Sequence, residues 1–284
     1  MRRIFLGFSL VALVAGTAAT ALAQGMPTSQ PKFLQIYREQ VKVGRGAEHS
    51  KWESGWVAAF EKVKSPITYI GLVSVTGPSE AWYLIPLASQ GAFGEMIARE
   101  AADPVLSAEL DRLSKGDAEF VSEATALQAV ARPELSHGAF PDLATMRFWE
   151  IGTYRVKPGH GEEFEAAVKA YGAAAGRSAP NASWRTYEVV AGAPDGTFLF
   201  FSSVASFGDF DKAREESEAT MKGLTSDERS VVQKVFADGI VSSWSNRFRL
   251  DPAQSYVPME TRQKDPAFWM PKAAAKAKAA AKKP

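Results

Sequence analysis

Residues 155–164 read Arg-Val-Lys-Pro-Gly-His-Gly-Glu-Glu-Phe, and this stretch decides the fold. It predicts the end of a strand, then a Pro-Gly turn, then a helix whose opening glutamates favour the N-terminal dipole. A similar stretch, Gln-Val-Lys-Val-Gly-Arg-Gly-Ala-Glu-His, occupies residues 40–49. The two are 115 residues apart, and at that spacing identical residues coincide in the pairs Ile36/Ile151, Val41/Val156, Lys42/Lys157, Gly44/Gly159, Gly46/Gly161 and Glu48/Glu163.

This spacing holds from a first strand to a second helix, which predicts a duplicated unit. Residues 33–135 have the pattern of a β-α-β-β-α-β unit, with a helical segment that Pro104 interrupts. Residues 147–252 repeat the order, and residues 136–146 link the two copies. We therefore expect an α+β fold built from two tandem units.

A unit that opens with a strand, the turn at residues 156–159 and the helix start at Glu162 resembles the dimeric α/β-barrel superfamily. Within it the chain is similar to NIPSNAP-type and antibiotic-biosynthesis-monooxygenase-type domains. The resemblance implies two ferredoxin-like units whose sheets form an intrachain pseudo-dimer, with pockets between each sheet and its helices. Members of the superfamily include cofactor-free oxygenases and haem-handling proteins.

The two ends of the chain differ from its body. Arg2 and Arg3, an apolar run and Ala21-Leu22-Ala23 predict a signal peptide over residues 1–23, and therefore export to the periplasm or medium. Residues 24–32 are expected to be a mobile lead-in. Residues 253–284 are expected to be an extended basic tail rich in alanine and lysine, because they show no apolar periodicity.

The amino-acid composition excludes several kinds of chemistry and of binding partner. The chain has no cysteine, which excludes disulfides, thiol catalysis and iron–sulfur clusters. Without Arg2, Arg3 and the lysines of the tail, acidic side chains outnumber basic ones. An acidic body repels phosphate backbones, so no nucleic-acid partner is expected. The lysine tail could make a weak contact with an anionic envelope surface, and oligomerisation beyond the pseudo-dimer is not implied.

The candidate ligand pocket lies in the first copy. His49, Trp52, Glu53 and Trp56 fall on one helical face, whereas the second copy has Phe164, Ala167, Val168 and Tyr171 there. A polar group that replaces a core residue in only one copy points to a function, such as a polar spot in an aromatic pocket that also includes Trp82. The alternative is a rotated helix that carries His49 and Glu53 to the solvent edge. His137 and His160 are expected to be exposed.

No cofactor is predicted. His49 and Glu53 could supply two metal ligands at helical spacing, but no third-ligand motif accompanies them, so no metal site is predicted. In the haem-degrading members of the superfamily, the resemblance implies an Asn on the first strand, a Trp late in the sheet and a His on the following helix. Here Gln35 replaces the Asn, and the helical segment 91–121 has no His, so that route is not expected. Binding of haem without its degradation is not excluded.

Three functions follow from these observations. The first is an exported protein that binds a small apolar or aromatic molecule in the first copy. The second is a cofactor-independent monooxygenase-like enzyme on an aromatic substrate. The third is a non-catalytic envelope scaffold. A cavity that reaches His49 would favour the first two, and a solid core there would favour the third.

Overall fold

A computed structural model describes residues 25–271. The predicted signal peptide and the lysine-rich end of the tail lie outside the described residues. The strands are β1 Phe33–Val41, β2 Tyr69–Ser74, β3 Glu80–Leu87, β4 Val121–Ala131, β5 Phe148–Val156, β6 Arg185–Ala191, β7 Thr197–Val204 and β8 Ile240–Tyr256. The helices are α1 Gly46–Lys62, α2 Gln90–Ala102, α3 Pro104–Asp117, α4 Gly161–Ser178, α5 Asp209–Lys222, α6 Ser226–Lys234, α7 Met259–Lys264 and α8 Pro266–Trp269.

The eight strands close into one antiparallel barrel with the order β1-β3-β2-β8-β5-β7-β6-β4. The first four strands of the chain are neighbours in this order, and so are the last four. The two sets join where β2 pairs with β8 and where β4 pairs with β6. Each set carries its helices on the outside, and closure leaves no unpaired sheet edge.

The turn that follows the first strand of each set is the same. Gly44 has φ +83° and Gly159 has φ +85°, a left-handed conformation that favours glycine. In each case a helix begins two residues later, at Gly46 or Gly161. The sequence stretch that predicted a strand, a turn and a helix therefore forms those elements in both places.

Three apolar cores follow from the alternation of the strands. Barrel-facing residues of all eight strands, among them Ile36, Trp82, Trp149 and Phe248, fill the barrel. A second core lies between the first four strands and helices α1 to α3. A third lies between the last four strands and helices α4 and α6. Helix-facing and barrel-facing residues alternate along each strand, because successive side chains point to opposite faces.

The chain end differs from the expectation that an extended tail begins at residue 253. Strand β8 continues to Tyr256, and α7 and α8 follow. Val257 and Trp269 are buried in the barrel core, and Trp269 Nε1 donates a hydrogen bond to Ala144 O at 3.0 Å. Few but large apolar side chains hold this segment, which a search for periodicity does not detect.

The lead-in also packs on the barrel. Met26 contacts the barrel core, Gln30 Nε2 donates to Thr186 O at 2.9 Å, and Pro31 O accepts a hydrogen bond from the Tyr187 hydroxyl at 3.1 Å. These contacts hold residues that were expected to be mobile. Among the helices of residues 25–271, none is long and apolar enough to cross a membrane.

Candidate functional site

Four ionisable side chains meet between the first set of strands and its helices. We call them the acid–histidine cluster, and its members are Glu39 on β1, His49 and Glu53 on α1, and Asp117 at the end of α3. Glu39 shares its sheet face with Phe33 and Val41, which face the helices. His49 and Glu53 are one helical turn apart, so both side chains point to the sheet.

The cluster is compact and buried. His49 Nε2 lies 3.0 Å from Glu39 Oε2 and 3.6 Å from Asp117 Oδ1. One potential ligand atom of each member lies within 4.8 Å of the others. His49 is 2% exposed and Glu53 is 5% exposed. The prediction that His49 and Glu53 share a face therefore agrees with the structure, and neither residue reaches the solvent edge.

The electrostatics disfavour ionised carboxylates here. Burial raises the pKa of Glu53 well above its ordinary value, and the nearby Glu39 and Asp117 carboxyls raise it further. Burial also raises the pKa of Asp117 to about 7, with a further increase from Glu39 and an opposing effect from His49. Three carboxyl groups thus compete for one imidazole.

Two carboxyl oxygens of the cluster lack partners. Glu53 Oε1 and Asp117 Oδ1 are buried without a hydrogen bond. Trp56 and Tyr83 lie beside the Glu53 carboxyl, and their indole N–H and hydroxyl groups lower its pKa. Tyr83 donates its only hydroxyl proton to Gln254 Oε1 at 2.7 Å, and Trp56 Nε1 makes no well-aligned hydrogen bond.

A hydrogen-bonded chain supports the cluster from the end of β8. Gln254, which accepts from Tyr83, donates through Nε2 to Asp251 Oδ2 at 2.9 Å. Ser50 on α1 donates to the same oxygen at 2.9 Å. This chain ties α1 to the second set of strands, so the position of the cluster depends on the closed barrel. Sequence reasoning did not include Glu39 or Asp117, which lie on other elements than α1.

The three tryptophans of the predicted pocket are in different places. Trp52 is half-buried, donates to Leu113 O at 2.9 Å and packs against Phe120. Trp56 lies beside Glu53 in the same outer core. Trp82 points to the opposite face of the sheet, into the barrel, where Arg38 stacks on its ring. Strand alternation thus separates Trp82 from His49.

The other two histidines are half-buried instead of exposed. His137 stacks on Trp184 with a centroid distance of 4.9 Å, and His160 Nδ1 lies 2.5 Å from Glu163 Oε2. All three histidines belong to the described residues, and none lines the cavity at the barrel mouth described next. The residues that line this cavity therefore include no histidine that could serve as an axial haem ligand.

A second candidate site lies at the barrel end where β1 and β5 begin. It is a cavity of about 80 Å³ that opens to solvent. Both sets of strands, the lead-in and the linker contribute apolar or aromatic side chains to it, including Met26, Leu34, Leu84, Phe140, Trp149, Tyr187 and Phe201. This composition is typical of a small-molecule site.

Arg185 brings a positive charge to this cavity. Its Nη2 donates to Gly138 O at 2.7 Å and to Ser183 Oγ at 3.1 Å, and its Nε is buried without a partner. No carboxylate of the described residues forms an ion pair with it. Burial lowers the pKa of its guanidinium, which is nevertheless always protonated in proteins. The cavity therefore combines an apolar wall with an uncompensated cation.

Comparisons with known proteins address the fold. No protein-family model matches the sequence, and no curated protein is similar enough to be counted a relative. Among solved structures, a proposed monooxygenase from Fusobacterium nucleatum matches with a TM-score of 0.51 and 8% identity, over 77% of this chain and 91% of that one. The chain has the dimeric α/β-barrel fold.

Two further structures are similar at lower scores. A proposed monooxygenase from Lactobacillus acidophilus matches with a TM-score of 0.49 and 12% identity, over 78% of this chain and 94% of that one. A chlorite dismutase from Candidatus Nitrospira defluvii matches with a TM-score of 0.48 and 8% identity, over 83% and 96%. The expected fold is supported by the match with a TM-score of 0.51, and the NIPSNAP-type resemblance stays a prediction.

Proposed function

We propose that this chain is an exported small-molecule-binding protein in which two tandem ferredoxin-like units form an intrachain pseudo-dimer. The observation that carries the proposal is the cavity at the barrel mouth. It receives Leu34 from one set of strands and Trp149 from the other, so a complete wall requires both halves. The ligand site that we propose is therefore in the barrel, and not beside His49 where the sequence suggested it.

The chemistry of the cavity selects the ligand class. Apolar and aromatic side chains favour an aromatic ring, which the cavity volume of about 80 Å³ limits in size. Arg185 favours a carboxylate, sulfonate or phenolate, because its guanidinium lines the cavity and has no carboxylate partner among the described residues. We therefore propose a small aromatic anion, whose remaining atoms lie at the open mouth.

Two fluorescent probes test this proposal. Anilinonaphthalene sulfonate carries an aromatic body and a negative charge, whereas N-phenylnaphthylamine has a similar body without charge. We expect Arg185→Met to weaken binding of the anionic probe by about tenfold or more, the value of one charge-assisted hydrogen bond, and to leave binding of the neutral probe unchanged.

The matched control is Arg155→Met, which removes an exposed arginine on β5. It should change neither affinity. If the anionic probe binds the native chain and Arg185→Met with equal affinity, the proposed anionic ligand class is refuted. If neither probe binds the native chain, the ligand site is refuted and the scaffold, the third function considered from the sequence, is favoured.

A cofactor-independent monooxygenase on an aromatic substrate is the second candidate function. The fold likeness to a proposed monooxygenase favours it. Oxygen consumption by the purified chain with hydroquinones or anthrones as substrates tests it. Consumption that depends on the chain and is lost in Arg185→Met would support this candidate, and a rate equal to that of buffer would exclude it for these substrates.

Export is a separate part of the proposal. It rests on the signal-peptide pattern of residues 1–23, which lie outside the described residues. The intact mass of protein recovered from the periplasm or medium should correspond to a chain that begins at Gln24. A full-length mass, or retention in the cytoplasm, would contradict export.

A further inference from the structure

We propose that the acid–histidine cluster binds one divalent ion of the first-row transition metals. The first observation is its geometry. A single tetrahedral ion about 2.0–2.2 Å from each of four ligands holds the ligand atoms roughly 3.3–3.6 Å apart. The four candidate atoms already lie within 4.8 Å of one another, and His49 Nε2 is 3.0 Å from Glu39 Oε2 and 3.6 Å from Asp117 Oδ1. A shortening of the widest pair by about 1.2–1.5 Å, within reach of side-chain rotation, would close the site.

The second observation is unsatisfied bonding inside the cluster. Glu53 is only 5% exposed, and its Oε1 has no hydrogen-bond partner. Asp117 Oδ1 is also buried without one, and it points to His49 Nε2 at 3.6 Å. A buried polar atom without a partner is costly. One cation would satisfy both oxygens, whereas added water would leave the charge unbalanced.

The third observation is the absence of a compensating basic residue. Within residues 25–271, no lysine or arginine forms an ion pair with a member of the cluster. Lys42 is close in sequence to Glu39, but its Nζ donates to Ala118 O at 2.9 Å and Glu119 O at 3.1 Å. Arg45 pairs with Glu48 and stacks on Phe120. When the carboxyl groups of Glu39, Glu53 and Asp117 are ionised, the described residues therefore offer them only the His49 imidazole, and a bound cation would balance the remaining charge.

The equivalent place in the second set of strands shows that the fold does not require these polar groups. Tyr154 replaces Glu39, Phe164 replaces His49 and Val168 replaces Glu53. Lys42 N donates a hydrogen bond to Phe120 O, and the equivalent Lys157 N donates to Gly239 O, so residues 120 and 239 correspond. Three residues earlier, Asp117 therefore corresponds to Phe236. The rings of Phe164 and Phe236 each lie 6.1 Å from that of Tyr154. Aromatic side chains therefore fill the space between strand and helices that the cluster fills in the first set.

The ligand set selects the kind of metal. One imidazole nitrogen with carboxylate oxygens suits Mn²⁺, Fe²⁺ or Zn²⁺, whereas Ca²⁺ and Mg²⁺ prefer oxygen alone. The hydrogen-bonded Gln254 and Asp251 hold the Tyr83 ring beside Glu53. This inference is independent of the proposed ligand cavity, because that cavity shares no residue with the cluster.

Metal content decides the proposal. The full chain is stripped with a chelator, dialysed against Mn²⁺, Fe²⁺ or Zn²⁺, freed of excess ion, and measured by elemental mass spectrometry and thermal melting. We expect about one equivalent of at least one ion per chain, together with a rise in the melting temperature. Glu53→Gln should reduce the bound metal to less than about a tenth of that value, because it removes an anionic ligand.

Glu163→Gln is the matched control, since it changes a half-buried glutamate that also lies beside a histidine. It should retain the metal. Circular dichroism of the metal-free variants establishes that each one is folded. If Glu53→Gln does not fold, Asp117→Asn takes its place. A native chain that binds less than about a tenth of an equivalent of all three ions overturns the proposal, and so does a folded variant of the cluster that binds as much as the native chain.

Discussion

The Nε2 atom of His49 lies 3.0 Å from Glu39 Oε2 and joins helix α1 to strand β1. In the second set of strands the same two positions hold Phe164 and Tyr154, whose ring centroids are 6.1 Å apart. One place in the fold thus carries a buried polar pair in one half and an aromatic pair in the other. The difference identifies the acid–histidine cluster as something that folding alone does not explain.

The metal-free chain should lose stability as the pH rises from about 4 to 7, and Asp117→Asn should remove much of this loss. The pKa of Asp117 rises from 3.8 in the unfolded chain to about 7 in the folded one. The unfolded state therefore releases its proton first, which favours unfolding over that interval. At pH 8 we expect the variant to be more stable than the native chain by about 1–2 kcal/mol, because partial solvation reduces the effect.

Urea unfolding of chelator-treated protein at pH 4 and at pH 8 measures this difference. At pH 4 the two chains should have nearly equal free energies of unfolding. A variant that is less stable than the native chain at pH 8 would show that the ionised Asp117 carboxylate stabilises the metal-free fold, contrary to a raised pKa.

Gly116→Ala should destabilise the chain by about 1–3 kcal/mol, although alanine is the better helix former. A Cβ at residue 116 would lie 2.0 Å from Cζ2 of Trp52, whose ring is held by the hydrogen bond to Leu113. Gly94→Ala in α2 is the control, because its Cβ would have no atom within 4 Å. That change should stabilise by about 0.5–1 kcal/mol. Thermal melts of both variants check the position of Trp52.

Trp269→Ala should destabilise the chain by about 3–5 kcal/mol, the usual cost of removing a large buried aromatic side chain. Trp269 is 5% exposed and closes the barrel core together with Val257. Met259→Ala is the control, since Met259 is 55% exposed and should cost less than about 0.5 kcal/mol. Urea unfolding compares the two, and equal stabilities would mean that the segment after β8 contributes nothing to the core.

Phe164→His should destabilise the chain by about 1–3 kcal/mol, because it buries a polar ring without a partner. Phe164 packs on Phe198 at a centroid distance of 4.8 Å, and no carboxyl group corresponds to Glu39 beside it. The same change at Phe207, which is 44% exposed, should have less than half this effect. Free energies of unfolding in urea provide the comparison.

Local sequence patterns predict most of the secondary structure and one side of the cluster. Glycine at residues 44 and 159 marks both turns because the left-handed conformation there favours it. The four-residue spacing of His49 and Glu53 places them on one face of α1. Glu39 and Asp117 could not be added in this way, since they reach the cluster from a strand and from another helix. The alternation of side chains along β1 offers a weak signal that Glu39 faces the helices, because Glu39 lies on the same face of the strand as Val41.

Trp82 and Trp269 show the limits of those patterns more clearly. In β3 every residue from Ala81 to Leu87 is buried, so hydrophobicity does not tell which face of the strand enters the barrel. Only the closed barrel separates Trp82 from His49. Trp269 follows a stretch without periodicity, and its burial depends on an opening that exists only after both sets of strands have met.

The sequence by itself determined the order of strands and helices, the turns at Gly44 and Gly159, and the polar substitution on α1, because these depend on backbone sterics and helical spacing. The tertiary structure decided what those side chains meet. Glu39 and Asp117 join His49 only when β1, α1 and α3 pack together, and Arg185 meets Trp149 only at the mouth of the barrel. Contacts between distant residues follow from packing and closure, which no local pattern encodes.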